Sequence, residues 1–365
     1  MIKTLSNLLM CMGFAVVSCM AAAAAQPPLK QQADCSAPLI SLEGELGTSS
    51  EFKDLERIFL KRAKEAVGHK PAPVSNLKSA GVSNKKDPNF IASRNAFKDA
   101  DYAAISSLAY AVYGSAEYFK AARDTLVSWA STHKPSGHPI DETRLEGLVW
   151  AYSLTCSEMD RNDRVLIKRY LNGMAEAKRR WKFGPKTTVN NHRTHQLKML
   201  ILLDTVLGNE DELAKDIQMA KHHLATNIDL ASGRSIDFNQ RKALYYHYYN
   251  LEAWLEIELI ASCCSKSVEN AFWFSADKIL TGDVFGEFSG STAPIDERRA
   301  KSGFSYAKAG SKFDVKRSAR STISYATLVA ERKELKGEIP AELWKIVDDN
   351  KSSRRTIFYN MRRQI

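Results

Sequence analysis

The 365-residue sequence contains no Cys-x-x-Cys pair and no His-Glu-x-x-His run, so the compact zinc-binding spacings are missing. No metal or other cofactor is expected. Past residue 25 no apolar stretch reaches the ~20 residues of a membrane-spanning helix, so no membrane span is expected. No alternation of apolar and polar residues occurs before residue 280, which excludes a sheet-based core over that length. A fixed repeat period is also lacking, which argues against a helical-repeat solenoid. Cysteine is scarce: only Cys35, Cys156, Cys263 and Cys264 lie past residue 25. Neighbouring cysteines rarely bond to each other, so Cys35 is expected to bridge to a partner that the sequence does not select.

Negative charge is in deficit. Lys and Arg number 52 against 42 Asp and Glu, a formal net charge of +10. Such a balance favours polyanions through long-range attraction. No nucleic-acid-binding module is recognisable, so an acidic polysaccharide is the expected partner and nucleic acid is not.

The first 25 residues carry Lys3, an apolar segment and a run of alanines before Gln26-Pro27-Pro28. This composition predicts a secretory signal cleaved after Ala25 and a periplasmic or secreted protein. Val16-Val17-Ser18-Cys19 offers the alternative of a lipoprotein anchored at Cys19. Residues 26–365 are expected to form one domain, working as a monomer.

Apolar residues recur at helical spacing over 50–66, 100–113, 116–131, 142–157, 161–181, 194–207, 210–227, 241–262, 318–335 and 341–349. The class is therefore all-α, and successive helical hairpins fit a toroid. Residues 68–90 are rich in Gly, Pro, Ser, Asn and Lys and read as a long functional loop. A Gly/Ser/Lys-rich stretch through residue 311 reads as a second mobile wall. Within 241–262, Glu252 and Glu256 fall off the apolar face and are expected in solvent. Asp141, Glu142 and Glu146 read as surface acids, and 351–363 as a solvated basic tail.

Two motifs stand out. In Thr187-Thr188-Val189-Asn190-Asn191-His192, which follows Trp181 and a Gly-Pro pair, Asn190 or Asn191 suits the cap of a new helix. His192 then sits in a first turn, where the helix dipole disfavours imidazolium. About fifty residues on, Arg241-Lys242-Ala243-Leu244-Tyr245-Tyr246-His247-Tyr248-Tyr249 spends more hydroxyls than an ordinary core helix. Together the motifs resemble those of the alginate lyase family, polysaccharide lyase family 5 and its relatives.

The resemblance implies an incomplete α/α barrel with residues 68–90 as a lid over the groove. It implies β-elimination of a polyuronate, poly-mannuronate first. Asn191 and an arginine would neutralise the uronate carboxylate, His192 would be the base, and Tyr246 would protonate the leaving oxygen. Trp181, Lys70, Lys78, Lys85, Lys86, Arg234, His247 and Tyr248 are the expected substrate contacts. One departure concerns the family arginine seven residues before the tyrosine, where Asn239 stands. Arg241 takes the role only if the chain turns locally, since two residues of regular helix swing a side chain roughly 200°. Thr194 and His195 also replace an aromatic pair, so another uronic-acid glycan is one alternative, and the displaced arginine leaves a weakened polysaccharide-binding protein as another.

Overall fold

Helix starts in this chain are set by short polar side chains that take up free first-turn amides. In the computed structural model, which describes residues 35, 36, 39, 49–332, 335 and 337–364, Ser49 caps α1 (Ser50–Val67). Asp87 caps α2 (Pro88–Tyr113), with Pro88 at the first position, where its missing amide costs no hydrogen bond. Next come α3 (Ala116–Thr132), α4 (Glu146–Thr155) and α5 (Arg161–Arg180), the last capped by Asp160. Asn190 caps α6 (Asn191–Leu207), which ends at Gly208 in the left-handed region. Further on are α7 (Glu210–Asn227), α8 (Ile236–Arg241), α9 (Leu244–Ala261), α10 (Ser265–Leu280) and α11 (Pro294–Lys301). The series ends with α12 (Ala319–Glu331), α13 (Ala341–Asp348) and α14 (Arg354–Arg363). The signal expected over residues 1–25, with Cys19, lies outside the described residues.

Packing runs from α2 to α4, α6, α9, α12 and α14, and α14 returns to α2. These helices form an inner ring, and α1, α3, α5, α7, α10 and α13 pack against them. The architecture is the all-α toroid of helical hairpins. Among the described residues there are only isolated bridges, Ile228 with Ser235 and Glu287 with Ser311. Close approach of α2 and α4 requires Gly147, since a Cβ there would lie 2.1 Å from the Ala100 carbonyl oxygen. No helix among the described residues is long and apolar enough to cross a membrane.

Burial corrects several expectations. Residues on the side of an inner helix away from its apolar partners face the centre of the ring, which is lined with charge. Glu256 is fully buried, accepting from Trp150 Nε1 at 3.1 Å and pairing with Arg362 at 3.4 Å. Glu252 pairs with Arg320 at 3.4 Å instead of facing solvent. Glu146 is buried against Lys198, with Arg320 and Arg355 each at 3.0 Å. Glu142 is buried against Lys178 at 3.1 Å, and Asp141 receives the Ala80 amide at 2.6 Å. These acids are not surface groups. The basic tail forms α14, whose Ile357 and Met361 are buried and whose arginines serve those acids.

Cysteine pairing is also corrected. Cys263 bonds to its neighbour Cys264, and Cys35 bonds to Cys156 at the end of α4. Helix α2 starts at Pro88, earlier than periodicity indicated, because its first turns expose the apolar Ile91 and bury the polar Ser93, which breaks the apolar pattern there.

Candidate active site

The Asn-Asn-His turn is built on a buried polar scaffold. Asn190 is the cap, its side-chain oxygen accepting the His192 amide at 3.0 Å. Behind it, Asn227 donates to the Val189 carbonyl at 2.9 Å, and its own oxygen accepts from Asn250 and Trp254, both at 2.7 Å. Thr194 donates to Asn250 at 2.7 Å and meets His223 at 2.9 Å. The side chains of Asn190, Thr194, His223, Asn227, Asn250 and Trp254 are all buried and hydrogen-bonded, the condition under which such a network rigidifies a site. Asn191 is clamped separately: its backbone amide donates to Asp237 at 2.9 Å and its carboxamide donates to the other oxygen of the same carboxylate. Burial pushes the Asp237 carboxyl up to about 7, against the two hydrogen bonds from Asn191.

His192 is half-buried, its ring 5.9 Å from His138, and His138 packs edge-on against Trp181 at 4.6 Å. The Nδ1 of His138 accepts the Ile140 and Asp141 amides, both at 3.2 Å, which places its proton on Nε2. Gly137, at φ 78, lets this loop approach α5, since a Cβ would meet the Ala177 carbonyl oxygen at 2.1 Å. Burial, and then the neighbouring His138, Arg241 and Arg299, bring the His192 pKa down to about 4. The imidazole is therefore neutral, and able to accept a proton, throughout the neutral range.

Periodicity suggested one helix over 241–262, but the chain breaks at Lys242, in the left-handed region at φ 45. Glu287 holds the new start by accepting the Leu244 and Tyr245 amides at 2.6 and 3.0 Å. The break folds Arg241 back, so that its guanidinium lies 3.9 Å from the centre of the Tyr246 ring. Arg241 is also paired with Asp296 of α11, and Asp296 accepts from Ser291 Oγ at 2.6 Å. The Tyr246 hydroxyl accepts from Arg299 Nη1 at 2.6 Å, and Arg299 Nε donates to the Val82 carbonyl at 3.0 Å. Burial pushes the Tyr246 pKa up, while Arg241 and Arg299 oppose the rise. Alongside, Tyr245 stacks on Tyr306 at 4.3 Å, with Arg317 over its ring at 4.1 Å.

The two motifs thus meet. Arg241 bears electrostatically on Asp237, His192 and Tyr246 alike, which ties Asn191, His192, Arg241 and Tyr246 into one site. Trp181 joins through His138. His247 and Tyr248 do not. His247 is buried with Nδ1 on Ser235 at 3.0 Å and Nε2 on the Ala271 carbonyl at 2.9 Å. Tyr248 is buried in a stack on Phe313. Both lie on the core side of α9, so neither reaches a substrate. Arg234 is exposed over Phe274 of α10 instead of turning to Tyr246. Thr194 and His195 are buried, and His195 meets Thr143 at 2.8 Å and the Tyr249 carbonyl at 3.1 Å, so neither faces a sugar.

The loop over 68–87 is pinned at both ends, early by Asp99, which meets His69 at 2.6 Å and accepts the Ala72 amide at 2.9 Å. Lys78 pairs with Asp87 at 2.7 Å, and Lys85 donates to the Gly303 carbonyl. Lys70 and Lys86 are exposed, with no ion pair among the described residues. His138, Asp237 and Arg299 escaped the sequence reading. Asp237 carried a signal, lying close before the tyrosine motif. Arg299 carried only a positional one, since it lies in the stretch through residue 311 that reads as a second wall, with nothing to single out this arginine.

The family described as "Alginate lyase" matches residues 49–266. The chain belongs to the alginate lyase family. It is accordingly a polysaccharide lyase. The fold is similar to that of an alginate lyase from Bacteroides ovatus, with a TM-score of 0.57 and 16% identity over 85% of this chain and 94% of that one. It is also similar to alginate lyase A1-III, an enzyme from Sphingomonas species A1. For a histidine-to-alanine form of that enzyme in complex with a tetrasaccharide, the TM-score is 0.52 at 13% identity, covering 78% of this chain and 88% of that one. No curated protein sequence matches. The family match ends before α11, so Arg299 and Asp296 belong to the part of the site outside it.

Proposed function

We propose that this chain cleaves a polyuronate by β-elimination, with mannuronate-rich alginate as the first substrate. The observation that carries the reading is a neutral His192 under the charge of Arg241 and Arg299, the same two guanidiniums that meet the ring and the hydroxyl of Tyr246. In this scheme His192 takes the proton from C5 of the sugar. The C5–H electron pair forms the C4–C5 double bond, the C4–O bond breaks, and Tyr246 gives its proton to the departing oxygen. Since the hydroxyl already accepts from Arg299, its own proton is free to point at the leaving group. The Asn191 carboxamide, oriented by Asp237, lies next to the base and supports the carboxylate end of the sugar. The residues 68–87 act as a lid, and the protein works as an exported, periplasmic or secreted monomer with the leader removed.

The test is a panel of poly-mannuronate, poly-guluronate and glucuronan, followed by the ultraviolet absorbance of the unsaturated sugar that elimination leaves. Absorbance should rise with at least one polymer. Tyr246→Phe, which removes only the hydroxyl, should lower that rate by at least ~10²-fold while binding survives. Full activity of Tyr246→Phe on every cleaved polymer would refute the scheme.

A further inference from the structure

We infer that Arg299, contributed by α11, is the cation that receives the uronate carboxylate and steadies Tyr246, the duty left open by Asn239. The inference rests on the β-elimination reading and adds a residue to it.

Charge decides between the two arginines of the site. The positive charge of Arg241 is already answered by Asp296, which is itself held by Ser291. Arg299 has no carboxylate within ion-pair distance among the described residues. Its Coulombic neighbours are three tyrosines and then Asp296, which Arg241 occupies. An anionic sugar entering beside Tyr246 therefore meets the uncompensated charge of Arg299, and that charge is half-buried, where it acts more strongly than in water.

Donor counting agrees. A guanidinium has five N–H donors in a fixed fork. In Arg299 the Nε proton goes to Val82 and one Nη1 proton to Tyr246. The second Nη1 proton and both Nη2 protons remain, enough for a two-point grip on a carboxylate. One rigid plane would then touch both the carboxylate next to C5 and the hydroxyl that serves the C4 oxygen. The same contact matters after proton transfer. As the C4–O bond breaks and Tyr246 loses its proton, the phenolate faces a guanidinium hydrogen bond already in place.

Position is fixed by the lid. The Val82 carbonyl belongs to the 68–87 loop, Val82 is buried against Phe304 and Ala307, and Lys85 ties the same loop to Gly303. The loop therefore sets the orientation of Arg299, and through it the hydroxyl of Tyr246.

The experiment compares Arg299→Ala, Arg299→Lys, Arg241→Ala and Tyr246→Phe in the full chain on the polymer the wild type cleaves best. The fold of each is checked by circular dichroism and thermal melting. Arg299→Ala should lose ~10²-fold or more in kcat. Added guanidinium ion should restore part of that loss in Arg299→Ala and none in Tyr246→Phe. The basic limb of the kcat profile should move to higher pH, because the phenol loses a neighbouring cation. Arg299→Lys, which keeps charge without the fork, should fall between. The inference is overturned if Arg299→Ala stays within ~3-fold of wild type while Arg241→Ala falls ~10²-fold. It is equally overturned if Arg299→Ala does not fold and Arg299→Lys shows unchanged kcat and pH profile. A fully active Tyr246→Phe would instead count against the elimination scheme itself, so the two failures are separable.

Discussion

Asp237 accepts both the backbone amide and the carboxamide of Asn191, so one buried carboxylate fixes the residue beside the proposed base from two directions. Its partner on α6 and its own place on α8 tie the two motif regions together before any substrate is present.

Replacing Asp237 by Asn should separate orientation from charge. The substitution keeps one acceptor for Asn191 and loses the other, so the fold should weaken by about 1–2 kcal/mol. Activity should fall with kcat more affected than KM. The folded-state pKa is raised from the ordinary 3.8 to about 7. The folded wild type therefore holds this proton more tightly than the unfolded chain. The resulting stability is fully present below the unfolded value and is lost as pH rises through the folded one. Melting temperatures across pH 4 to 8 should fall more steeply toward high pH in the wild type than in Asp237→Asn, which keeps the like contribution of Asp216, also raised to about 7.

For His192 the sign is opposite. Its pKa lies at about 4, below the ordinary 6.5, so the folded protein favours the neutral ring. Its contribution to stability is present above the unfolded value and is lost as pH falls toward the folded value. The acid limb of kcat/KM should accordingly lie well below 6.5 if this ring is the base. His138→Ala should move that limb upward, since it removes one of the groups that hold the pKa down. A limb unmoved in His138→Ala, and centred near the ordinary value in the wild type, would assign the base elsewhere.

Loop lysines divide into two kinds. Lys78 and Lys85 serve the loop itself, whereas Lys70 and Lys86 are free to meet a polyanion. Lys70→Ala with Lys86→Ala should raise KM several-fold at low salt with little change in kcat, as expected when uniform binding is lost. The effect should shrink at high ionic strength, where exposed charges are screened. Kinetics at two salt concentrations check it, and a salt-independent KM would leave the loop without an electrostatic role.

Local interactions made part of this protein readable from its sequence. A cap reaches only two or three residues along the chain, so Asn190 or Asn191 could be named as the helix start from its neighbours alone, and the structure selects Asn190. Helical periodicity is equally local, and most of the toroid's helices were legible within a few residues of their ends. The same locality explains what was missed. Whether Glu256 meets solvent or Arg362 depends on a ring closed by α14, far along the chain. Whether Arg241 points at Tyr246 depends on one left-handed residue, Lys242, stabilised by Glu287 accepting the amides that follow. Arg299 reaches Tyr246 across a sequence separation of 53 and meets Val82 across 217. Charge pairing and burial are decided by which elements pack together, and no pattern inside one segment encodes that choice. The sequence by itself determined most of the helices, though not α8, α10, α11 or α14, together with an asparagine cap at 190 or 191 and the histidine and tyrosine motifs. Only the tertiary structure decided which cation stands at the tyrosine, because a guanidinium finds its partners through space.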